Sequence, residues 1–149
     1  MSISMEVIKA LREETGAGIM DVKKALVEAE NDIEKAKEII RQRGMARAEK
    51  KADRETGEGF IGSYIHTTGK VAAIVSLLCE TDFVARNDEF RTLAREIAMQ
   101  VASMRPETLE ELLEQEHIRD GRVINEMVKE LSGKVGEKIT IGEMKLIVV

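Results

Sequence analysis

The chain has 149 residues, 43% hydrophobic and 34% charged, with a formal net charge of −5 and a single cysteine, Cys79. That length fits one domain or one domain with a small module, and folding at this size buries roughly 70% of the unfolded chain's surface. The acidic balance argues against a dedicated nucleic-acid binder, one thiol cannot form an intrachain disulfide, and no apolar run approaches the ~20 residues of a membrane span.

Met1–Ala10 carries Glu6 and Lys9 and lacks a long apolar core, so no signal peptide and a cytoplasmic, soluble protein are expected. Residues 1–44 read as three short helices. The first places Val7, Ile8 and Leu11 on one face and stops before the small-residue turn Thr15-Gly16-Ala17-Gly18. The second, from about Ile19 to Glu28, carries Val22, Ala25, Leu26 and Ala29. Asn31 starts the third with Glu34 as its capping-box partner, Ile33, Ala36, Ile39 and Ile40 form the stripe, and Gly44 closes it. Residues 45–56 follow as a charged linker, in which the cations Arg47, Lys50, Lys51 and Arg54 find no regular apolar stripe beside them. Helix-favouring residues fill it, and no aromatic is interleaved to stack on bases, so it reads as a solvated face.

From Gly59 the period changes to two, and 57–149 reads as an α+β core. Phe60, Gly62, Tyr64 and His66 alternate with Ile61, Ser63 and Ile65; Thr67-Thr68-Gly69-Lys70 turns the chain; Val71–Cys79 returns as the second strand of a hairpin. Thr81–Asp88 reads as a strand-to-helix loop. A helix follows from about Asp88 to Met104, capped by Asn87 or Asp88, with Phe90, Leu93, Ala94, Ile97, Ala98 and Val101 inward; it ends before Pro106. Leu109, Leu112 and Leu113 mark a short helix. Val123, Ile124, Met127, Val128 and Leu131 mark another, ending at Gly133. Ile139–Val149 closes the chain as a third strand, bulged or bent at Gly142.

Little of this supports catalysis. Cys79 ends an apolar run, where a cysteine serves as a small core hydrophobe, and pairs with no well-placed imidazole. His66 and His117 lack ligand-like spacing. The Gly16/Gly18 turn has no Lys-Ser/Thr and follows no strand, so it is no phosphate loop. The loop Thr81-Asp82-Phe83-Val84-Ala85-Arg86-Asn87 survives this filter, because it sets a carboxylate beside an aromatic in a chain with only 3 Phe, 1 Tyr and no Trp. A hydrophobic staple around an Asn87 cap would use Arg86 and Arg91, so it does not account for Phe83. Either Phe83 folds onto the core or it is an exposed contact.

Leu11-Arg12-Glu13-Glu14-Thr15-Gly16-Ala17-Gly18-Ile19-Met20-Asp21-Val22-Lys23-Lys24-Ala25-Leu26 and Thr81-Asp82-Phe83-Val84-Ala85-Arg86-Asn87 closely resemble the bacterial elongation factor Ts family, and the likeness extends to Val135-Gly136-Glu137-Lys138-Ile139-Thr140-Ile141. The resemblance implies a ubiquitin-associated-like three-helix domain over 1–44, a linker over 45–56, and an α+β core over 57–149 with a three-stranded antiparallel sheet packed with helices. It implies a guanine-nucleotide exchange factor for elongation factor Tu, bound in both its GDP and nucleotide-free forms. It implies no cofactor, metal, direct nucleic-acid contact or membrane, and no covalent chemistry of the chain's own. Thr81, Asp82, Phe83 and Val84 would then intrude on Tu near its nucleotide and magnesium, with Arg12, Asp21, Lys23, Lys24 and Arg86 as further contacts. Longer members of the family carry two related core subdomains and a coiled-coil insertion. A chain with one subdomain implies a homodimer. The rival reading is a protein-binding adaptor whose three-helix module recognises a partner without driving exchange.

Overall fold

The turn Thr15–Gly18 sets the geometry of the amino-terminal helices in the computed structural model, which describes residues 2–149. Helix α1 (Met5–Thr15) starts at Ser4, whose side chain accepts from Glu6 N, and stops at Gly16 in the left-handed region (φ 73°). Helix α2 (Ile19–Glu28) begins after Gly18, and Glu30 and Asn31 turn the chain at positive φ into α3 (Ile33–Glu49). The N-cap of α3 is Asp32, which accepts from Lys35 N at 3.1 Å, rather than Asn31 as the capping box suggests. Asn31 is already committed to the left-handed turn. Ile8, Leu11, Val22, Ala25, Leu26, Ala36 and Ile40 bury one small core between these helices.

Helix α3 does not close at Gly44 but runs five residues further, to Glu49. Gly44 is buried where another helix crosses, and it is the glycine of that helix, Gly133, that leaves no room for a Cβ. Tertiary packing overrides the low helix propensity of glycine here.

Strands β1 (Glu58–Ile65), β2 (Val71–Cys79) and β3 (Thr140–Val148) form one antiparallel sheet in the order β1-β2-β3. Val75 faces Met144 and Leu77 faces Ile141, so Gly142 and Glu143 together oppose Ser76, whose Oγ accepts from Glu143 N at 2.8 Å. This is the bulge expected at Gly142. The inner face presents Ala73, Val75, Leu77 and Cys79 to helix α5 (Asp88–Met104), which buries Phe90, Ala94, Ile97 and Val101 against it. At Gly62 the backbones of β1 and α5 nearly touch: a Cβ there would lie 2.7 Å from Arg95 N.

Short helix α6 (Leu109–Glu114) and helix α7 (Ile124–Val135) complete the second core through Leu112, Ile124, Met127, Val128 and Leu131. Helix α7 passes Gly133 and is capped at Gly136 (φ 76°). Fully buried Gln100 of α5 reaches the segment between α6 and α7, donating to Gln115 Oε1 and Glu116 O and accepting from Ile118 N, so its amide is satisfied. Among the described residues no helix is long and apolar enough to cross a membrane.

Candidate functional site

Residues Asp82–Ala85 form one turn of helix, α4, where a loop was expected. Thr81 is its N-cap, extended (φ −124°, ψ 158°), with Oγ1 accepting from Val84 N at 3.4 Å. Val84 and Ala85 point into the core and are buried. Asn87 then caps α5, accepting from Glu89 N at 2.8 Å and Phe90 N at 3.3 Å. Two helices therefore start within a few residues of each other, joined by a segment too short to move freely.

With Val84 inward, the geometry of a single turn sends its neighbour outward. Phe83 is 79% exposed, while Phe90 is fully buried and Phe60 and Tyr64 pack against the core. Asp82 stands beside it, half-buried, paired with Arg86 across 3.1 Å. Of the two readings open for Phe83, the exposed one is the observed one. Exposing a large aromatic forgoes roughly 2–3 kcal/mol of burial, so the side chain contributes little to the fold it projects from.

The turn is held from below by a residue remote in sequence. Glu137 Oε1 accepts from Glu80 N at 3.1 Å and Thr81 N at 3.0 Å, and Oε2 accepts from Thr81 Oγ1 at 2.6 Å. Reciprocally, Glu80 Oε1 accepts from Lys138 N at 2.8 Å, and that backbone hydrogen bond is the main reason its carboxyl stays below the usual carboxylate range. Arg54 reaches Glu80 at 3.3 Å and Lys138 Nζ donates to Ala52 O at 2.7 Å, which ties the segment after α3 to the same place. Cys79 Sγ donates to Thr81 O at 3.2 Å, and burial pushes its thiol up to about 11. Sequence reasoning singled out the projecting residues and missed Glu137. The only signal for it was its place in the Val135–Ile141 segment; strand and helix periodicity is silent about a polar residue in a turn.

The sites divide into two groups. Thr81, Asp82, Phe83, Val84 and Arg86 share one turn, with Thr81 and Val84 engaged internally and Asp82, Phe83 and Arg86 outward. Arg12, Asp21, Lys23 and Lys24 lie on α1 and α2. Arg12 joins Met5, Glu6, Ile8, Lys9 and Ile19 around a shallow hollow of about 310 Å³, and Met5 and Met20 are exposed nearby. A larger cleft of about 700 Å³ runs between α3, α5 and α7, and several of its charges pair with one another, among them Lys37 with Glu14 at 2.9 Å and Lys134 with Glu89 at 2.8 Å. Phe83 does not line this cleft.

Residues 80–149 match the family model described as Elongation factor TS. Similar proteins include elongation factor Ts of Thermotoga neapolitana, 47% identical over 147 residues that cover 97% of this chain and 75% of that protein. Elongation factor Ts of Thermosipho melanesiensis is 51% identical over 147 residues, covering 95% of this chain and 74% of its own length. That of Leptospira biflexa is 48% identical over 149 residues, covering 97% and 75%.

Proposed function

The chain belongs to the elongation factor Ts family of translation factors, and from that premise we propose that it is a guanine-nucleotide exchange factor for elongation factor Tu, acting in the cytoplasm through the Asp82–Phe83 turn. The observation that supports this most directly is Phe83 itself, a phenyl ring 79% exposed on a single turn of helix. Bound GDP is held by backbone N–H groups around its phosphates and by Mg²⁺, which tolerates little departure from octahedral geometry. Burial of Phe83 between elements of Tu, worth up to roughly 2–3 kcal/mol, shifts those elements; Asp82 competes for the polar partners that support the metal. Exchange then follows from negative coupling: the factor binds nucleotide-free Tu more tightly than the GDP form, and nucleotide weakens the factor by the same ratio. No bond is made or broken.

The exposed residues of the three-helix unit, Arg12, Lys24 and the half-buried Asp21 and Lys23, supply a second contact that adds affinity without touching the nucleotide. The deciding experiment is stopped-flow release of a fluorescent GDP analogue from Tu, with this chain and with its Phe83→Ala variant. Acceleration that the variant loses supports the wedge. Binding of Tu without any acceleration by the unaltered chain would leave only the adaptor reading.

Two copies of the chain per active unit complete the proposal. The sheet face turned away from α5 carries Ile61, Ile65, Ile74 and Ile147, all exposed, and the register sets Ile65 opposite Ala72, and Ala72 opposite Ile147. Four exposed isoleucines on one face, interspersed with Ser63, Ser76 and Lys145, are more apolar surface than a solvated sheet face needs and are characteristic of an interaction surface.

A further inference from the structure

Phe83 can act as a wedge only if its turn resists being pushed back, and a four-residue helix has almost no stability of its own. The resistance has to come from elsewhere in the fold. Helix α4 leaves its first N–H groups without intrahelical partners, and the two amides just before it, at Glu80 and Thr81, have left the β2 ladder. Other side chains help, with Cys79 Sγ donating to Thr81 O and Arg91 Nε to Ala85 O, but these two amides and the Thr81 hydroxyl converge on one carboxylate. Glu137 takes both amides and the Thr81 hydroxyl, with distances of 3.1, 3.0 and 2.6 Å. Its own backbone is fixed in turn, because Glu137 O accepts from Ser132 Oγ at 2.6 Å and Gly136 caps α7. Hydrogen bonds to a charged acceptor are the stronger class, and three on one carboxylate orient it fully.

Resting on the exchange reading, we propose that Glu137 is a positioning residue for nucleotide release, holding the Thr81 cap so that Phe83 transmits force to Tu rather than recoiling. This role requires of it no contact with Tu or with the nucleotide. Its role is therefore confined to what Phe83 does after docking, and it separates from affinity.

The test measures GDP-analogue release from Tu over a range of factor concentrations for the full chain, Glu137→Ala, Glu137→Gln and Phe83→Ala, and for each Glu137 variant combined with Phe83→Ala. Loss of hydrogen bonds to a charged group should lower the maximal release rate of Glu137→Ala by about tenfold or more, with the half-saturating concentration unchanged. Glu137→Gln keeps one carbonyl oxygen for the two amides and should restore part of that rate. In the Phe83→Ala background the substitution at Glu137 should have no further effect, because there is no wedge left to position. Should Glu137→Ala fold poorly, Glu137→Gln carries the same comparison with a smaller defect that likewise vanishes without Phe83. An unchanged maximal rate for both Glu137 variants while Phe83→Ala is slow overturns this role and leaves the exchange reading standing. An equal loss with and without Phe83 also overturns it, assigning Glu137 to general stability. A Phe83→Ala variant as fast as the unaltered chain overturns both.

Discussion

Gly44 and Gly133 bring the backbones of α3 and α7 into direct contact: a Cβ added to Gly133 would sit 2.6 Å from Gly44 Cα and 2.5 Å from its carbonyl carbon. The contact is unequal, since a Cβ on Gly44 would find nothing nearer than 3.7 Å. Gly133→Ala must therefore push two helix backbones apart, which costs about 1–3 kcal/mol as overpacking does elsewhere. Gly44→Ala fits and gains helix propensity of up to about 1 kcal/mol. Thermal unfolding should show a lowered midpoint for the first and an equal or raised one for the second. Two equal losses would mean that Gly44 is as crowded as Gly133, and two unchanged midpoints that the crossing is looser than described.

Phe83 and Asp82 should be nearly silent in folding and prominent in exchange. Phe83 packs against little, and the Asp82–Arg86 pair is an exposed i,i+4 contact at 3.1 Å, so alanine at either place should change stability by no more than about 0.5 kcal/mol. Release of GDP from Tu should slow sharply for Phe83→Ala. Asp82→Ala should show a smaller defect that shrinks as Mg²⁺ is lowered, because less metal remains to be dislodged. A defect of the same size at low and high Mg²⁺ would remove the metal from Asp82's role.

The projecting aromatic was legible in the sequence, and its foundation was not. A cap of α5 at Asn87 or Asp88, the hairpin, the third strand and its bulge or bend at Gly142 follow from local periodicity and turn chemistry, and the fold selects Asn87 and the bulge. Gly44 and Gly133 were misread because glycine late in a helical stripe usually ends the helix; here each marks a close helix crossing, a long-range fact that no local pattern encodes. Thr81–Asp88 reads as a loop because the four helical residues within it, Asp82–Ala85, are too few to display a helical period. Glu137 bonds across 56 residues to Thr81, so its part in the site emerges only from the fold.

Cys79 should behave as an inert core thiol. It is fully buried at the end of β2, donates to Thr81 O, and is pushed up from 9.0 to about 11, chiefly by burial, with the Glu137 carboxylate adding to it. The unfolded chain loses this proton first as pH rises, so between about 9 and about 11 the folded state holds more protons than the unfolded one. The stabilisation is complete below pH 9 and declines above it. Folded protein at pH 8 should react slowly with a thiol reagent and quickly once denatured. Cys79→Ala should flatten the alkaline loss of stability relative to the unaltered chain while exchange on Tu persists. A fast-reacting thiol in the folded protein would contradict the burial.

The outer sheet face offers a substitution that separates folding from association. Ile74 lies at its centre, exposed, with Lys145 directly opposite on β3 and Ser63 on β1. A glutamate at 74 faces Lys145 as a cross-strand opposite-charge pair, which contributes roughly 0.2–1 kcal/mol and offsets the lower strand propensity of glutamate in the single chain. In a dimer joined through this face the same carboxylate would be buried against isoleucines, where an incompletely paired charge costs several kcal/mol. Ile74→Glu should therefore leave the unfolding midpoint close to that of the unaltered chain and convert a sedimenting dimer to monomer. If the unaltered chain sediments as a monomer at every concentration, the homodimer fails; if Ile74→Glu remains dimeric, the two copies meet through another surface. Where the dimer is lost, the stoichiometry of the Tu complex and the release rate per chain then show whether one Phe83 suffices for each Tu.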